Sequence, residues 1–128
     1  MNPESKRILV IDDAATVRMY HRHILETAGY AVDEAMNGIE AMEKALRAPF
    51  DLYLVDINMP QQDGYDFLRD LRQRDIRQAP ALMVSSEAQD FDRTRAYAAG
   101  ASFYLVKPAR PDELLAYCNV LLGAGGVQ

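Results

Sequence analysis

Arg7-Ile-Leu-Val-Ile-Asp-Asp13 decides the reading of this chain: four consecutive apolar, strand-favouring residues run straight into two carboxylates. An uninterrupted apolar run suits a strand covered on both faces, as in a parallel sheet between helical layers. Two further segments repeat the design. Leu52-Tyr-Leu-Val-Asp56 ends in one carboxylate, and Ser102-Phe-Tyr-Leu-Val-Lys-Pro108 ends in lysine and proline. In an open parallel sheet, functional groups collect in the crevice beyond the carboxyl ends of the strands. Three acids and one base delivered there make a small, highly charged pocket, suited to a cation and a phosphoryl group.

Strand and helix alternate along the whole chain. A helix from about Ala15 to Ala28 follows the first strand, with Val17, Tyr20, Ile24 and Ala28 on its inner face and Gly29 ending it. Ala31 to Met36 reads as a short edge strand. Asn37-Gly38 is a turn, with Asn37 capping a helix from Gly38 to Arg47. After the strand Leu52 to Val55 comes a loop over 58–64, then a helix from Tyr65 to Gln73 burying Phe67, Leu68 and Leu71. Ala81 to Val84 is the fourth strand, Asp90 to Ala99 a helix stopped by Gly100, and Phe103 to Val106 the fifth strand. Pro111-Asp112-Glu113 opens the last helix with proline in the first turn and acids at the positive end of the dipole. Its inner stripe is Leu114, Tyr117, Cys118, Leu121 and Leu122, and residues 123–128 form a flexible tail. Five strands alternating with five helices predict an α/β, doubly wound (βα)5 sandwich of the flavodoxin-like type. Two strand orders are common for such a five-stranded parallel sheet, and this length favours the order 2-1-3-4-5. That order sets the first and third strands side by side and gathers Asp12, Asp13 and Asp56.

A chain of 128 residues is expected to form one domain, 1–128, with a proper core. Hydrophobic residues at 49% and charged residues at 26% fit a soluble globular protein. The net charge of -5 and the absence of any Lys/Arg cluster argue against a nucleic-acid surface. Cys118 is the only cysteine, so no internal disulfide is possible and a reducing compartment fits. No stretch is long enough to span a membrane, and the polar start leaves no room for a signal peptide. A cytoplasmic protein is expected.

Asp12-Asp13 alone would read as helix caps or dipole partners, and Asp56 alone as a turn residue. Together they read differently. Carboxylates about 4–5 Å apart repel by roughly 3–4 kcal/mol per pair at an effective dielectric near 20. A hard divalent cation with oxygen ligands removes that cost, and Mg²⁺ suits a few carboxylates with waters and a phosphate. The backbone carbonyl of Asn58 offers a further ligand. Lys107 is more than a surface lysine at a strand end, because Pro108 restricts its backbone and makes the Lys107-Pro108 bond a cis candidate. One of Ser85 and Ser86 is placed to donate to whatever sits on Asp56, the other to cap. Tyr104 is by default a half-buried aromatic.

These spaced motifs carry a family resemblance: Ile-Asp-Asp13, Val-Asp-Ile-Asn-Met-Pro60 with Asp63-Gly64, Val-Ser-Ser-Glu-Ala88, Ala-Gly-Ala101 and Val-Lys-Pro108. From Arg7 to Leu122 the chain resembles receiver domains of two-component response regulators, the single-domain chemotaxis members in particular. The resemblance implies that Asp56 accepts a phosphoryl group while Asp12, Asp13 and the Asn58 carbonyl hold Mg²⁺. It implies that Lys107 binds the phosphoryl oxygens, Ser85 moves to bond with the group, and Tyr104 swings inward in response. Asn58 and Glu87 fill the positions that tune phosphoryl lifetime, and the pair resembles the fast-decaying type. The implied partners are a sensor histidine kinase or histidine phosphotransfer protein and a downstream protein bound at the fourth helix, fifth strand and fifth helix. The protein would catalyse only its own modification and demodification, so it is a switch rather than an enzyme.

A haloacid-dehalogenase type of phosphatase would want a second acid two residues after Asp56, where Asn58 stands. A flavin or nucleotide module would need a glycine- or hydroxyl-rich loop in place of Asp12-Asp13-Ala-Ala-Thr16. A receiver piece of a longer regulator stays open. His21 and His23 are expected at the surface, and Cys118 in the core. With only Arg110 basic near the last helix, and Asp90 and Asp92 adding acids at the fourth, binding to a flagellar switch is not expected.

Overall fold

The computed structural model describes residues 5–59, 62–86 and 90–123. Its elements run β1 (Arg7–Ile11), α1 (Ala15–Thr27), β2 (Ala31–Ala35), α2 (Gly38–Arg47), β3 (Leu52–Asp56), α3 (Gly64–Gln73), β4 (Ala81–Ser85), α4 (Asp90–Ala99), β5 (Phe103–Val106) and α5 (Pro111–Leu122). All paired strands are parallel, in the order β2-β1-β3-β4-β5. The expected fold and strand order are those observed.

The two-residue period of a strand splits the core into two layers. Leu9, Ile11, Tyr53, Val55, Ala81 and Met83 face one side, with buried residues of α2, α3 and α4. Ile8, Val10, Leu52, Leu54, Leu82 and Val84 face the other, with α1 and α5. Both faces are covered, which is why β1, β3 and β4 read as continuous apolar runs rather than alternations. Register fixes the functional edge: Ile11 lies opposite Val55, and Asp56 opposite Val84. The residues just past those pairs share one crevice.

Local signals shape several helix ends, of which the Asn37 cap was expected and those at Asp63 and Gly123 were not. Asn37 caps α2 by accepting from the Glu40 N–H at 2.8 Å, and Asp63 caps α3 by accepting from the Asp66 N–H at 2.9 Å. Gly123 closes α5 in the left-handed conformation, φ 69°. The expected flexible tail, 123–128, begins at this Gly123, which belongs to the helix end, and residues 124–128 lie outside the described residues. No described helix is long and apolar enough to cross a membrane.

Helix α1 departs from its expected face. His21, Ile24 and Leu25 are its buried residues, whereas Tyr20 and Ala28 are exposed. The Tyr20 hydroxyl instead donates to the carbonyl of Ala109 at 2.9 Å, and a ring anchored at its tip can keep its flank in water. On α5, Leu114, Cys118 and Leu122 are buried while Tyr117 and Leu121 are half-buried.

Candidate functional site

The acidic nest is built by three strand ends. Asp12 and Asp13 follow β1 and Asp56 closes β3, and each presents a carboxylate oxygen within 4.8 Å of the others. Asp12 and Asp56 are buried and Asp13 is exposed. Lys107, just past β5, enters between the two buried acids, with Nζ 3.0 Å from Asp12 Oδ2 and 3.0 Å from Asp56 Oδ1. Its backbone N–H donates to the Ser85 carbonyl at 2.7 Å, tying the β5 end to β4. The Lys107-Pro108 peptide is cis, as the sequence allowed.

One ammonium shared by two carboxylates leaves the nest under-neutralised. Burial raises the Asp56 carboxyl above the ordinary carboxylate range, and the adjacent Asp12 charge adds to this. The bonds from Lys107 and from the Asn58 backbone N–H oppose the shift without cancelling it. Lys107 is also raised: burial pulls it down, but its bonds to Asp56 and Asp12 outweigh that. The two upward shifts are consistent, because the lysine gains two partners while Asp56 holds only a share of one. Oxygen-only donors at these separations suit a hard divalent cation, and the residues fit that group.

The nest is held from outside. Asp12 Oδ1 accepts from the Ala14 N–H at 2.9 Å, and the Asp12 N–H donates to the Ala35 carbonyl at 3.1 Å. The Asp12 carbonyl accepts from Arg18 Nη1 at 2.7 Å. Gly64 is fixed by crowding: its N–H donates to the Ile57 carbonyl at 2.9 Å, and an added Cβ would sit 2.5 Å from the Asp56 carbonyl oxygen. Only glycine lets the loop after β3 fold back this closely.

Ser85 is fully buried at the end of β4, opposite Val106, while Ser86 is exposed. Tyr104 is 4% exposed, deeper than the half-buried position expected, with the Arg93 guanidinium 5.1 Å from its ring centroid. Asn58 is exposed beside the nest, and the Glu87 position lies outside the described residues.

Two other expectations fail. His21 is 3% exposed rather than at the surface, and lines a cavity of about 130 Å³ with Val17, Tyr20, Lys107, Pro108 and Ala109. Burial lowers its imidazole to about 4, the Asp12 charge opposing and the Lys107 charge adding. Asp92 is buried in α4 rather than adding a surface acid, and its backbone carbonyl accepts from the Tyr65 hydroxyl at 3.2 Å. His23 is exposed and Cys118 buried, as expected. The sequence reading missed Arg18, whose only signal was an arginine one helical turn past the acid pair.

The response regulator receiver domain family matches residues 8–119. The chain is 39% identical over 116 residues to the transcriptional regulatory protein ResD of Bacillus subtilis, covering 91% of this chain and 48% of ResD. It is 40% identical over 117 residues to the chemotaxis protein CheY of the same organism, covering 91% of this chain and 97% of CheY. The solved structure of Vibrio cholerae chemotaxis protein CheY4 superposes with a TM-score of 0.87 at 35% identity, covering 92% of this chain and 99% of that one. Against ResD and several other curated relatives the chain spans about half their length. The chain belongs to the response regulator receiver domain family. Its role is that of a receiver in signalling, and the comparisons lend the phosphatase alternative no support.

Proposed function

We propose that Asp56 is the phosphoacceptor, charged by the phosphohistidine of a sensor kinase or a histidine phosphotransfer protein in the cytoplasm. Support comes from one observation above the rest: Lys107 Nζ lies 3.0 Å from both Asp12 and Asp56 in a nest that keeps an excess of negative charge. Asp12, Asp13, Asp56 and the Asn58 carbonyl would hold Mg²⁺, which supplies neutralisation of charge on the transferring group.

Asp56 Oδ attacks phosphorus in line, the P–N bond to the donor imidazole breaks, and the departing nitrogen keeps the electron pair. Burial strips water from that carboxylate, and Lys107 turns to the equatorial phosphoryl oxygens as the negative charge moves outward. Water later attacks phosphorus and releases inorganic phosphate, restoring the carboxylate. The Ser85 hydroxyl donates to a phosphoryl oxygen, drawing the end of β4 toward the site. Tyr104 packs behind it and carries the change to the α4, β5 and α5 face, where a protein partner docks. Asn58 and Glu87 are the residues that tune the phosphoryl lifetime, and this pair sets it short.

Labelling with acetyl phosphate or phosphoramidate and Mg²⁺ tests the assignment. Asp56→Asn is expected to fold normally and take up no phosphoryl group, read by intact-mass spectrometry. Continued uptake would assign another acceptor.

A further inference from the structure

Arg18 makes a side-chain contact to the backbone of the acidic nest, and its side chain is only 14% exposed. Its guanidinium is used at two points. Nη1 donates to the Asp12 carbonyl at 2.7 Å, and Nε donates to Glu34 Oε1 at 2.8 Å. Glu34 is itself braced, its second oxygen accepting from Arg22 Nη1 at 2.7 Å and its backbone carbonyl from Lys44 Nζ at 2.6 Å. Arg22 in turn bonds Glu26 at 2.9 Å. A charged chain thus runs from the surface of α1 across β2 and ends on the backbone of Asp12. With the contacts from Ala14, Ala35 and Lys107, the backbone N–H, carbonyl and both carboxylate oxygens of Asp12 are all held.

We propose that Arg18 is a positioning residue for the divalent cation: a strut that sets the turn carrying Asp12 and Asp13, so that their oxygens converge with Asp56. The proposal rests on the reading of the nest as a cation site. Its sign separates it from a mere charge effect. Arg18 is a cation beside a cation site, so through its field alone it opposes metal binding, and its removal would tighten binding. As a strut it favours binding, and its removal weakens it. Arginine is required because a planar guanidinium spans two acceptors at once, whereas the lysine ammonium is a single point on a flexible stem. Loss of partners that orient a metal ligand typically costs about 10–100-fold in affinity.

Mn²⁺ titration followed by the electron paramagnetic resonance of the free ion reads the affinity directly, without phosphorylation. Arg18→Lys and Arg18→Ala are each expected to weaken Mn²⁺ binding about tenfold or more, while melting in EDTA shows a folded protein at the titration temperature. An Arg18→Lys variant binding Mn²⁺ like the wild type, or an Arg18→Ala variant binding it more tightly, would overturn the strut. Asp13→Asn runs alongside: wild-type Mn²⁺ affinity in that variant would overturn the cation-site reading itself.

Discussion

At the N-terminal edge of the sheet, Asp51 accepts from the Arg7 backbone N–H at 2.8 Å and from Arg77 Nη2 at 3.0 Å. At the C-terminal edge, Asp12 and Asp56 share the single ammonium of Lys107, with the Asp13 carboxylate beside them. The first arrangement is matched, one acid to one cation. The second carries three negative charges against one positive, a local excess of two. Arg18 does not relieve it, because its charge is matched by Glu34. Both edges belong to the same parallel strands, so the backbone does not impose the difference. An acid that only joins elements is supplied with partners, whereas acids left short of partners hold their capacity for a ligand. The repulsion that makes the nest costly when empty is what makes it bind a cation.

Divalent cation should therefore stabilise one edge and leave the other unaffected, and this is the largest effect expected. At one hundred times its dissociation constant, a ligand of the folded state adds about 2.7 kcal/mol. For a domain of this size that raises the melting temperature by about 10 °C. Thermal melts with Mg²⁺ and with EDTA should show this shift in the wild type and in Asp51→Asn, and lose it in Asp13→Asn. An equal shift in Asp13→Asn would mean the cation binds elsewhere and would erase the contrast.

The next effect concerns acid stability near the functional edge. His21 has its imidazole lowered from 6.5 to about 4, chiefly by burial. Folding thus favours its neutral form, and that stability is fully present above pH 6.5 and lost as the pH falls toward 4. Between neutral pH and pH 5.5 the loss is about 1.2 kcal/mol. Denaturant melts across that window should show it in the wild type and a flatter profile in His21→Leu. An unchanged slope in the variant would place the acid sensitivity elsewhere.

His21 also shows where the sequence stopped being informative. Strands such as Leu52–Asp56 were legible because burial on both faces leaves a one-dimensional trace, a continuous apolar run. The order of strands followed from the alternation together with the length of the chain, and with it the meeting of Asp12, Asp13, Asp56 and Lys107. A polar residue on an amphipathic helix leaves no such trace when a loop far along the chain covers it. His21 is buried beside the turn at Lys107, Pro108 and Ala109, and no period along α1 announces that turn. Asp92 and Tyr104 were placed too near the surface for the same reason, since packing across α3, α4 and β5 decides their depth. Gly64 was quoted as part of a motif, yet its reason is a close approach to the Asp56 backbone that only coordinates reveal.

The smallest effect sharpens the comparison most, because it predicts opposite signs for one chemical change. Asn is nearly isosteric with Asp and removes only the charge. At Asp51 that charge is used: the substitution loses the ion pair to Arg77 and weakens the bond from the Arg7 amide, which costs about 1 kcal/mol. At Asp56 the charge is a burden. Its carboxyl is raised, first by burial and then by Asp12, so the fold favours the protonated form. That preference costs nothing below the unfolded-state value near 3.8, and subtracts stability as the pH rises through the folded value. Asp56→Asn should accordingly melt a few degrees higher than the wild type at pH 7 in EDTA. The gain should shrink as the pH approaches 4. Asp51→Asn should melt lower by a similar amount. If both variants were destabilised alike at pH 7, the two edges would be matched alike, and the idea that the nest stores an unmet demand for positive charge would fail with them.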